Sequence, residues 1–536
     1  MQFDYVIVGG GASGCVLANR LSAAKDRSVL LLEAGGSDAH PLVHMPLGFA
    51  FMLGKERFDW RYAYEPEPQL NNRILYCPRG KMLGGSGSLN AMVYVRGHAH
   101  DYEAWRAMGN VGWGWDDVLP YFKRAENCAV GDAAEHGHRG PMTIVSSPAW
   151  HPLDELVLRA AEQAGIPRIA DHNTAHPNGL APVSVNVRNG FRCSAAKAYL
   201  KPARSRANLR VETQARVERV LFEGKRAVGV QYRRGGELHT VRANAEVILS
   251  AGAVDSPKLL ELSGVGAGQR LRALGIDVVH DLPSVGENMQ DHFLLFVRAR
   301  LKDMSSVNEE LRGSRMLRNV LQYLLTRRGL LSGPHTHIIG YTQVRPEAPS
   351  ADIQFMIAPV TFAPVATKGS NETKVVLDSE PGVSIGFCQC RPQSRGYVHI
   401  RSKDVATPPS IHANFLASEL DRDIVIRGLR TARQITQEPA LAQYLKEEFS
   451  PGPQARSDED LLAYARANGD SAYHIAGTCR MGTDAQAVVD PQLRVHGMER
   501  LRIVDASIMP QIVSANTHAA SIMIGERASD LILNSH

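Results

Sequence analysis

Long apolar runs are missing from this chain. Nowhere do about 18 apolar residues follow one another, the length that a membrane-crossing helix needs. Paired cysteines are missing as well: the seven cysteines, at 15, 77, 128, 193, 388, 390 and 479, are odd in number, scattered and without CxxC spacing. That pattern argues against a disulfide framework and a structural zinc site, so no metal is expected, and it fits a reducing compartment. Cys388 and Cys390 read as alternate positions along a strand. A dense basic run is absent too. The net charge is only +5 on 536 residues, with Lys and Arg interspersed among acids, so nucleic-acid binding has no electrostatic footprint. Internal repeats and low-complexity tracts are absent. The opening "MQFDYVIVGGG" lacks the basic segment and cleavable apolar stretch of a secretion signal. The expectation is a cytoplasmic protein that does not span a membrane.

What is present suits a folded globular enzyme: 44% apolar and 21% charged residues, on a chain too long for one ordinary core. Length alone suggests roughly two to four domains, or one large domain with insertions. The segment "YVIVGGGASGCVLANRLS" begins with an apolar run, Tyr5 to Val8, breaks into glycine, and resumes with Val16, Leu17 and Leu21 at helical spacing. That is strand, tight turn, helix. Gly9, Gly11 and Gly14 satisfy GxGxxG: the first permits the turn, the second admits a pyrophosphate, and the third lets the helix sit against the strand. A second apolar strand, "SVLLLEAGG", ends in Glu33 about twenty residues further on, where a carboxylate accepts hydrogen bonds from an adenosine ribose. The same carboxylate would repel a 2′-phosphate, which disfavours NADP. No second GxGxxG unit is present for a nicotinamide, so the one dinucleotide has to be the redox group itself, and that favours flavin.

The stretch "PRGKMLGGSGSLNAMVYVRG" (78–97) sets small residues between a basic residue and an apolar strand, a composition that lets backbone lie beside a flat ring. Together with the Gly9–Gly14 turn and Glu33, with "GAVDSPKLLELSGVG" (252–266), and with the C-terminal pair "SAYHIAGTCRMG" (471–482) and "PQIVSANTHAASIMIGERASD" (510–530), it resembles the glucose–methanol–choline (GMC) oxidoreductases, FAD enzymes that oxidise alcohols. "LPSVGENMQDH" (282–292) and "VVDPQLRVHGMERLRIVDASIMP" (488–510) also look like the family. The likeness covers essentially the whole chain. Within the family it looks closest to bacterial choline-dehydrogenase-like and aliphatic alcohol or sorbose dehydrogenases.

The resemblance implies an α/β fold: a Rossmann-like FAD-binding domain, discontinuous over 1–150, 205–295 and 465–536, and an α+β substrate domain with an antiparallel sheet over 151–204 and 296–464. Alternating segments such as "ADIQFMIAP" and "VSIGFCQCRP" support sheet in the latter. Implied cofactor contacts are Ala12 and Ser13 in the turn, Ala34 beside Glu33, and Gly84, Gly85, Ser88, Asn90 and Ala91 in the loop. Further contacts are Val217 near the adenine, Asp505 and Ala506 near the ribityl or pyrophosphate, and Asn516 and Thr517 near the isoalloxazine. The chain departs from the family at several places. Ser86-Gly87 stands where a Ser-Ser pair is usual. Leu89 stands where some members carry a histidine bonded to the flavin, so FAD is expected to be noncovalent. Ile475 replaces a common proline, and "NTH" stands where many bacterial dehydrogenases have "NTN".

Oxidising an alcohol with flavin requires a base for the hydroxyl proton and a hydride path to flavin N5. Neutral histidine suits the first task. By motif position His474 is expected to be the general base, with His518 holding the alcohol oxygen. The expected enzyme converts a primary alcohol to an aldehyde and passes electrons to a quinone-type acceptor. An O2-using oxidase is the alternative favoured by the His/His pair, and a non-redox FAD lyase stands as a reading from another class. No carboxylate is evident to hold a quaternary ammonium, so a neutral primary alcohol is favoured over choline. His335 and His337, in "GPHTHIIGYTQ", stand where related dehydrogenases often have an acid and paired glycines. Finally, 311–333 places Met316, Leu317, Val320, Leu321, Leu324 and Leu325 on one helical stripe among five arginines, with no acid. The plain reading is an amphipathic helix packed on the substrate domain. The other is peripheral contact with an anionic membrane at its inner face.

Overall fold

The computed structural model describes residues 1–363 and 376–535; residues 364–375, within the range expected for the substrate domain, lie outside them. Two seven-stranded sheets organise the chain. The first is built around Gln2–Val8, whose last four residues are buried. It pairs in parallel with Val29–Leu32 on one side and with Glu237–Leu249 on the other. Both faces of these strands are covered, which is why they read in the sequence as continuous apolar runs. Leu209–Glu212 extends the parallel set beyond Val29–Leu32, and Leu501–Ile503 pairs in parallel with Val247–Leu249. Arg226–Arg234 and Arg216–Glu223 are added antiparallel. The sheet is therefore mixed, and it draws strands from three separated stretches of chain.

Two helices carry the glycine-rich turn to the far end of the chain. Ala12–Leu21 follows the turn, and Thr517–Leu533 packs against it. The approach is close because Gly525 has no side chain: a methyl group there would lie 3.0 Å from Val16 Cβ and 3.1 Å from Ser13 Cα. Ser13 Oγ donates to the Ser521 carbonyl at 2.7 Å. The inaccessible Glu526 carboxylate accepts from Arg20 Nε (2.9 Å), Arg20 Nη2 (2.6 Å) and Tyr199 Oη (2.8 Å). These bonds fix the start of the terminal helix, and hence His518, beside the Gly9–Gly14 turn.

The second sheet is antiparallel, in the order Leu445–Ser450, Phe293–Leu301, Gly382–Gln389, Ile353–Ala358, Ile338–Thr342, Gly179–Pro182. Gly382–Gln389 is buried throughout, and Glu419–Gln437 packs on it, with Gly428 set directly against the Phe387 ring. Asp470–Ser471 adds to the end of Phe293–Leu301. Asp470–Ser471 and the first three residues of Phe293–Leu301 lie within the ranges expected for the cofactor domain yet join the other sheet. The junction places His292, just before Phe293, and His474, just after Ser471, at the seam between the sheets.

The helix Gly313–Thr326 is oriented opposite to the packed-helix expectation. It buries Asn319 and Tyr323, while Leu317, Leu321, Leu324 and Leu325 are 60, 50, 54 and 82% exposed. The polar pair is anchored by hydrogen bonds, Asn319 Nδ2 to the Glu310 carbonyl at 2.8 Å and Tyr323 Oη to the Gly190 carbonyl at 3.0 Å. No helix among the described residues is long and apolar enough to cross a membrane.

Candidate active site

A cavity of about 420 Å³ runs between the two sheets. The glycine-rich turn forms one wall, and each glycine has a separate steric reason. Gly9 has φ +102°, a conformation that favours glycine, and a side chain there would run into Ser250. Gly14 touches the Gly9 carbonyl, so the helix can close on the strand only without a Cβ. Gly11 has open space in front of it, the nearest atom to an added methyl being Ser250 O at 3.8 Å, and it faces the cavity at the N-terminus of Ala12–Leu21. Free N–H groups and the helix dipole favour a phosphate at that point. Glu33 closes this end. Its Oε2 accepts from Gly10 N at 2.8 Å and its Oε1 from Gly35 N at 2.7 Å, while burial pushes its carboxyl up to about 7.

Of the residues expected to hold the cofactor, Gly9, Gly11, Ala12, Ser13, Glu33, Ala34, Gly85, Asn90, Ala91, Val217, Asp505, Ala506, Asn516 and Thr517 all line this one cavity. Gly14, Gly84 and Ser88 do not. Gly84 has φ +86° and donates its N–H to the Gly10 carbonyl, joining loop to turn. Ser88 is turned inward, its Oγ donating to the Leu83 carbonyl at 2.8 Å. These three shape the wall from behind it. Asp505 lines the cavity but is committed to backbone and hydroxyl donors: its carboxylate accepts from Gly252 N (2.9 Å), Ser256 Oγ (2.6 Å) and Ser507 N (2.8 Å). Leu89 lines the wall as well, and its side chain offers no atom to bond to a ring.

At the opposite end stand the two histidines. His474 is buried and hydrogen-bonded at three atoms. Its N–H donates to Asp291 Oδ1 at 2.7 Å, its Nδ1 lies 2.9 Å from His292 Nδ1, and its Nε2 lies 2.9 Å from Asn516 Nδ2. The proton positions follow from one fixed point. His292 Nε2 is 3.0 Å from the Cys390 carbonyl, which can only accept, so Nε2 carries the hydrogen. With His292 neutral, its Nδ1 is then an acceptor, and the hydrogen between the two rings belongs to His474 Nδ1. That leaves the lone pair of His474 on Nε2, where it accepts from the Asn516 amide. Burial first, and then the adjoining His292 imidazole and the Arg79 guanidinium, hold His474 well below its ordinary value, so the ring is a neutral base at physiological pH. Burial likewise lowers His292.

His518 lines the same cavity. Burial, helped by the Arg192 charge, pulls its imidazole down to about 4. Its Nε2 is buried without a hydrogen-bond partner, and so is Asn516 Oδ1. Two unpartnered polar atoms lining one cavity imply that a ligand completes them. Around this end stand Phe49, Leu53, Leu294, His335, Thr336 and Met356. His335 enters the lining, whereas His337 is buried elsewhere and paired with Asp154 at 2.7 Å. The lining carboxylates are Glu33, Asp255 and Asp505; Asp255 accepts from Tyr62 Oη at 2.9 Å, and burial raises its carboxyl. Each is bound to groups outside the histidine end, which has no acid among the described lining residues.

The sequence reading missed His292 as a site residue, although it stands within the family-like "MQDH"; its role depends on a ring-to-ring contact across 182 positions. Arg192 was also missed. It is buried, its Nη1 donates to the Asn90 carbonyl (2.7 Å) and Asn90 Oδ1 (2.9 Å), and its Nε donates to the Val43 carbonyl (2.9 Å).

A dinucleotide-shaped cleft ending in two neutral histidines defines a flavoenzyme acting on CH–OH groups. The chain belongs to the GMC oxidoreductase family, whose N-terminal model matches residues 3–294 and whose C-terminal model matches residues 392–525. It is 41% identical over 539 residues to the oxygen-dependent choline dehydrogenase of Escherichia coli O127:H6, covering 99% of this chain and 96% of that one. It is 40% identical over 540 residues to the mitochondrial choline dehydrogenase of Mus musculus, covering 99% and 89%. Among solved structures, pyridoxine 4-oxidase from Mesorbium loti superposes over the whole of both chains with TM-score 0.88 at 31% identity. Formate oxidase from Aspergillus oryzae RIB40 superposes over 100% of this chain and 98% of its own, with TM-score 0.92 at 25% identity. The protein is an FAD-dependent oxidoreductase, and the lined cleft fits that cofactor.

Proposed function

We propose that the protein is a dehydrogenase that oxidises a neutral primary alcohol to the aldehyde and delivers the electrons to a quinone-type acceptor. Bound FAD supplies the acceptor for the hydride that leaves the alcohol carbon. The residues do the rest. The Asn516 amide occupies the His474 Nε2 lone pair at 2.9 Å; the alcohol hydroxyl displaces it there and gives up its proton to Nε2, while His518 Nε2 faces the oxygen on which negative charge develops. The observation that carries this reading is the lone pair of His474, fixed on Nε2 by the His292–Cys390 relay, in one cavity with the partnerless His518 Nε2. The noncovalent state of FAD rests on Leu89, which has no nucleophilic atom. A neutral alcohol is preferred to choline because, among the described residues, no carboxylate lines the histidine end to offset a quaternary ammonium; Asp291 lies behind the lining and is committed to the backbone N–H groups of His292 and His474 and to Tyr64 Oη.

The quinone assignment rests on the outward leucine face of Gly313–Thr326. From it the chain runs through Leu330–Ser332 to His335 in the cavity lining, where the ring lies tilted by 34° against Phe49 with centroids 5.6 Å apart. Phe51, on the same short segment as Phe49, is 56% exposed. Exposed leucines beside Arg312 and Arg328, with Arg315 and Arg318 paired to Glu309 and Glu310, suit the surface of a bilayer, in which a quinone would be dissolved. The names of several relatives point to O2 instead, and the acceptor test decides between them.

The deciding experiment follows the visible flavin spectrum without oxygen while aliphatic, aromatic, polyol and choline-type alcohols are added. Bleaching by neutral primary alcohols, and reoxidation faster by a quinone than by air, is the expected result. Bleaching by choline alone overturns the substrate assignment, and rapid reoxidation by air with peroxide release overturns the acceptor. Bound flavin that no alcohol bleaches favours the non-redox reading.

A further inference from the structure

Gly87 lines the cavity in the short helical turn Gly85–Ser88, and it differs from its neighbours. Gly84 and Gly85 have φ of +86° and +53°, and a Cβ at Gly80 or Gly85 would meet backbone. Gly87 has no such restriction: its φ lies outside the left-handed region, so its backbone accepts any residue. The three atoms nearest to a side chain added at 87 all belong to the imidazole of His518. A methyl group there would collide with Cε1 and lie 3.0 Å from Nδ1 and 3.3 Å from Nε2.

The loop cannot yield easily. Arg192 Nη1 reaches the Gly87 carbonyl (3.4 Å) and grips Asn90, while Gly85 is held against Gly11, where an added Cβ would lie 2.9 Å from the Gly11 Cα. His518 sits in the first turn of a helix fixed through Ser521 and Glu526. The free direction for its ring is the cavity. We infer that Gly87 is a positioning residue for His518: the missing side chain at 87 is the recess that lets a histidine, with its full ring, stand at 518 without intruding on the substrate. Positions 87 and 518 are thus a matched pair, in which the recess at 87 has to grow as the side chain at 518 lengthens. The functional part of this inference rests on the role proposed for His518; the steric part does not.

The test is a double-mutant cycle on the purified FAD-loaded enzyme with G87A, H518A and G87A/H518A, reading thermal unfolding midpoint, flavin content and the anaerobic rate of flavin reduction. With His518 in place, G87A is expected to lower the midpoint and to slow reduction by about 10²-fold, the cost of a misplacement near 1 Å. In the H518A background the sign reverses: G87A raises the midpoint, because alanine at a compatible backbone restricts the unfolded chain, and it slows reduction no further. Equal destabilisation in both backgrounds means that the loop, not the imidazole, resists the side chain, and overturns the inference. So does a G87A enzyme with unchanged midpoint and rate. If H518A reduces flavin as fast as wild type while the midpoint still reverses sign, the pairing stands and the catalytic role of His518 fails.

Discussion

His474, His292 and Asn516 form a hydrogen-bonded row in which each ring has only one consistent proton arrangement. Removing the base is expected to slow flavin reduction by roughly 10²–10⁴-fold in His474→Ala, with flavin retained, while His518→Asn loses less because an amide still offers a hydrogen bond. Stopped-flow reduction without oxygen checks both. His292→Ala is a sharper test of the relay. It removes the acceptor that fixes the tautomer and the second imidazole whose proximity, after burial, depresses His474, so kcat/KM falls and its acidic limb moves up toward the ordinary histidine value. Stability carries a related signature. His474 and His518 titrate lower in the folded chain than in the unfolded one, so the unfolded chain binds more protons in acid. Their contribution is complete above about pH 6.5, the unfolded value, and is lost as pH falls toward 4. Thermal midpoints across that interval should fall less steeply in His518→Asn than in wild type.

At the scale of elements, the helix Gly313–Thr326 is the one most open to test. Its leucines are turned to solvent because Asn319 and Tyr323, not the leucines, have partners in the rest of the fold. The protein is expected to float with vesicles that contain anionic lipid, and Leu321→Glu with Leu325→Glu should abolish flotation without altering flavin reduction by the alcohol or its reoxidation by a soluble dye acceptor. Absence of flotation with every lipid composition removes the membrane reading. The period of the leucines was legible in the sequence; the direction they face was not, because a hydrophobic stripe does not say whether a partner exists for it. The strand, turn and helix at the N-terminus were legible for the opposite reason. Gly14 answers to the turn just before it, where a Cβ would meet the Gly9 carbonyl, and Gly9 to its own φ of +102°, so local spacing carried the constraint even though Ser250 also crowds Gly9.

At the scale of the molecule, the cleft depends on residues from Gly9 to Ser521 meeting on one wall. FAD held there without a covalent bond should be released by acid or heat denaturation and recovered in the supernatant, with none left on the precipitated chain. A second buried assembly, Arg96 with Glu126, His136 and Asp171, braces the far side of the same core, and it brings Cys128 beside Glu126 and His136. Its charges are already matched by Arg96 and Asp171, so it serves as an internal ion network.

The sequence by itself determined the dinucleotide turn, the carboxylate at Glu33 and the family motifs, since each is written in contiguous residues whose spacing the backbone obeys directly. It also singled out His474 and His518 by their place in such motifs. Only the tertiary structure decided which nitrogen of His474 carries the lone pair, that His292 and Arg192 belong to the site, that His335 enters the cavity while His337 does not, and that Gly87 faces His518. Those relations join positions tens to hundreds of residues apart, and they exist only once the two sheets meet at their seam.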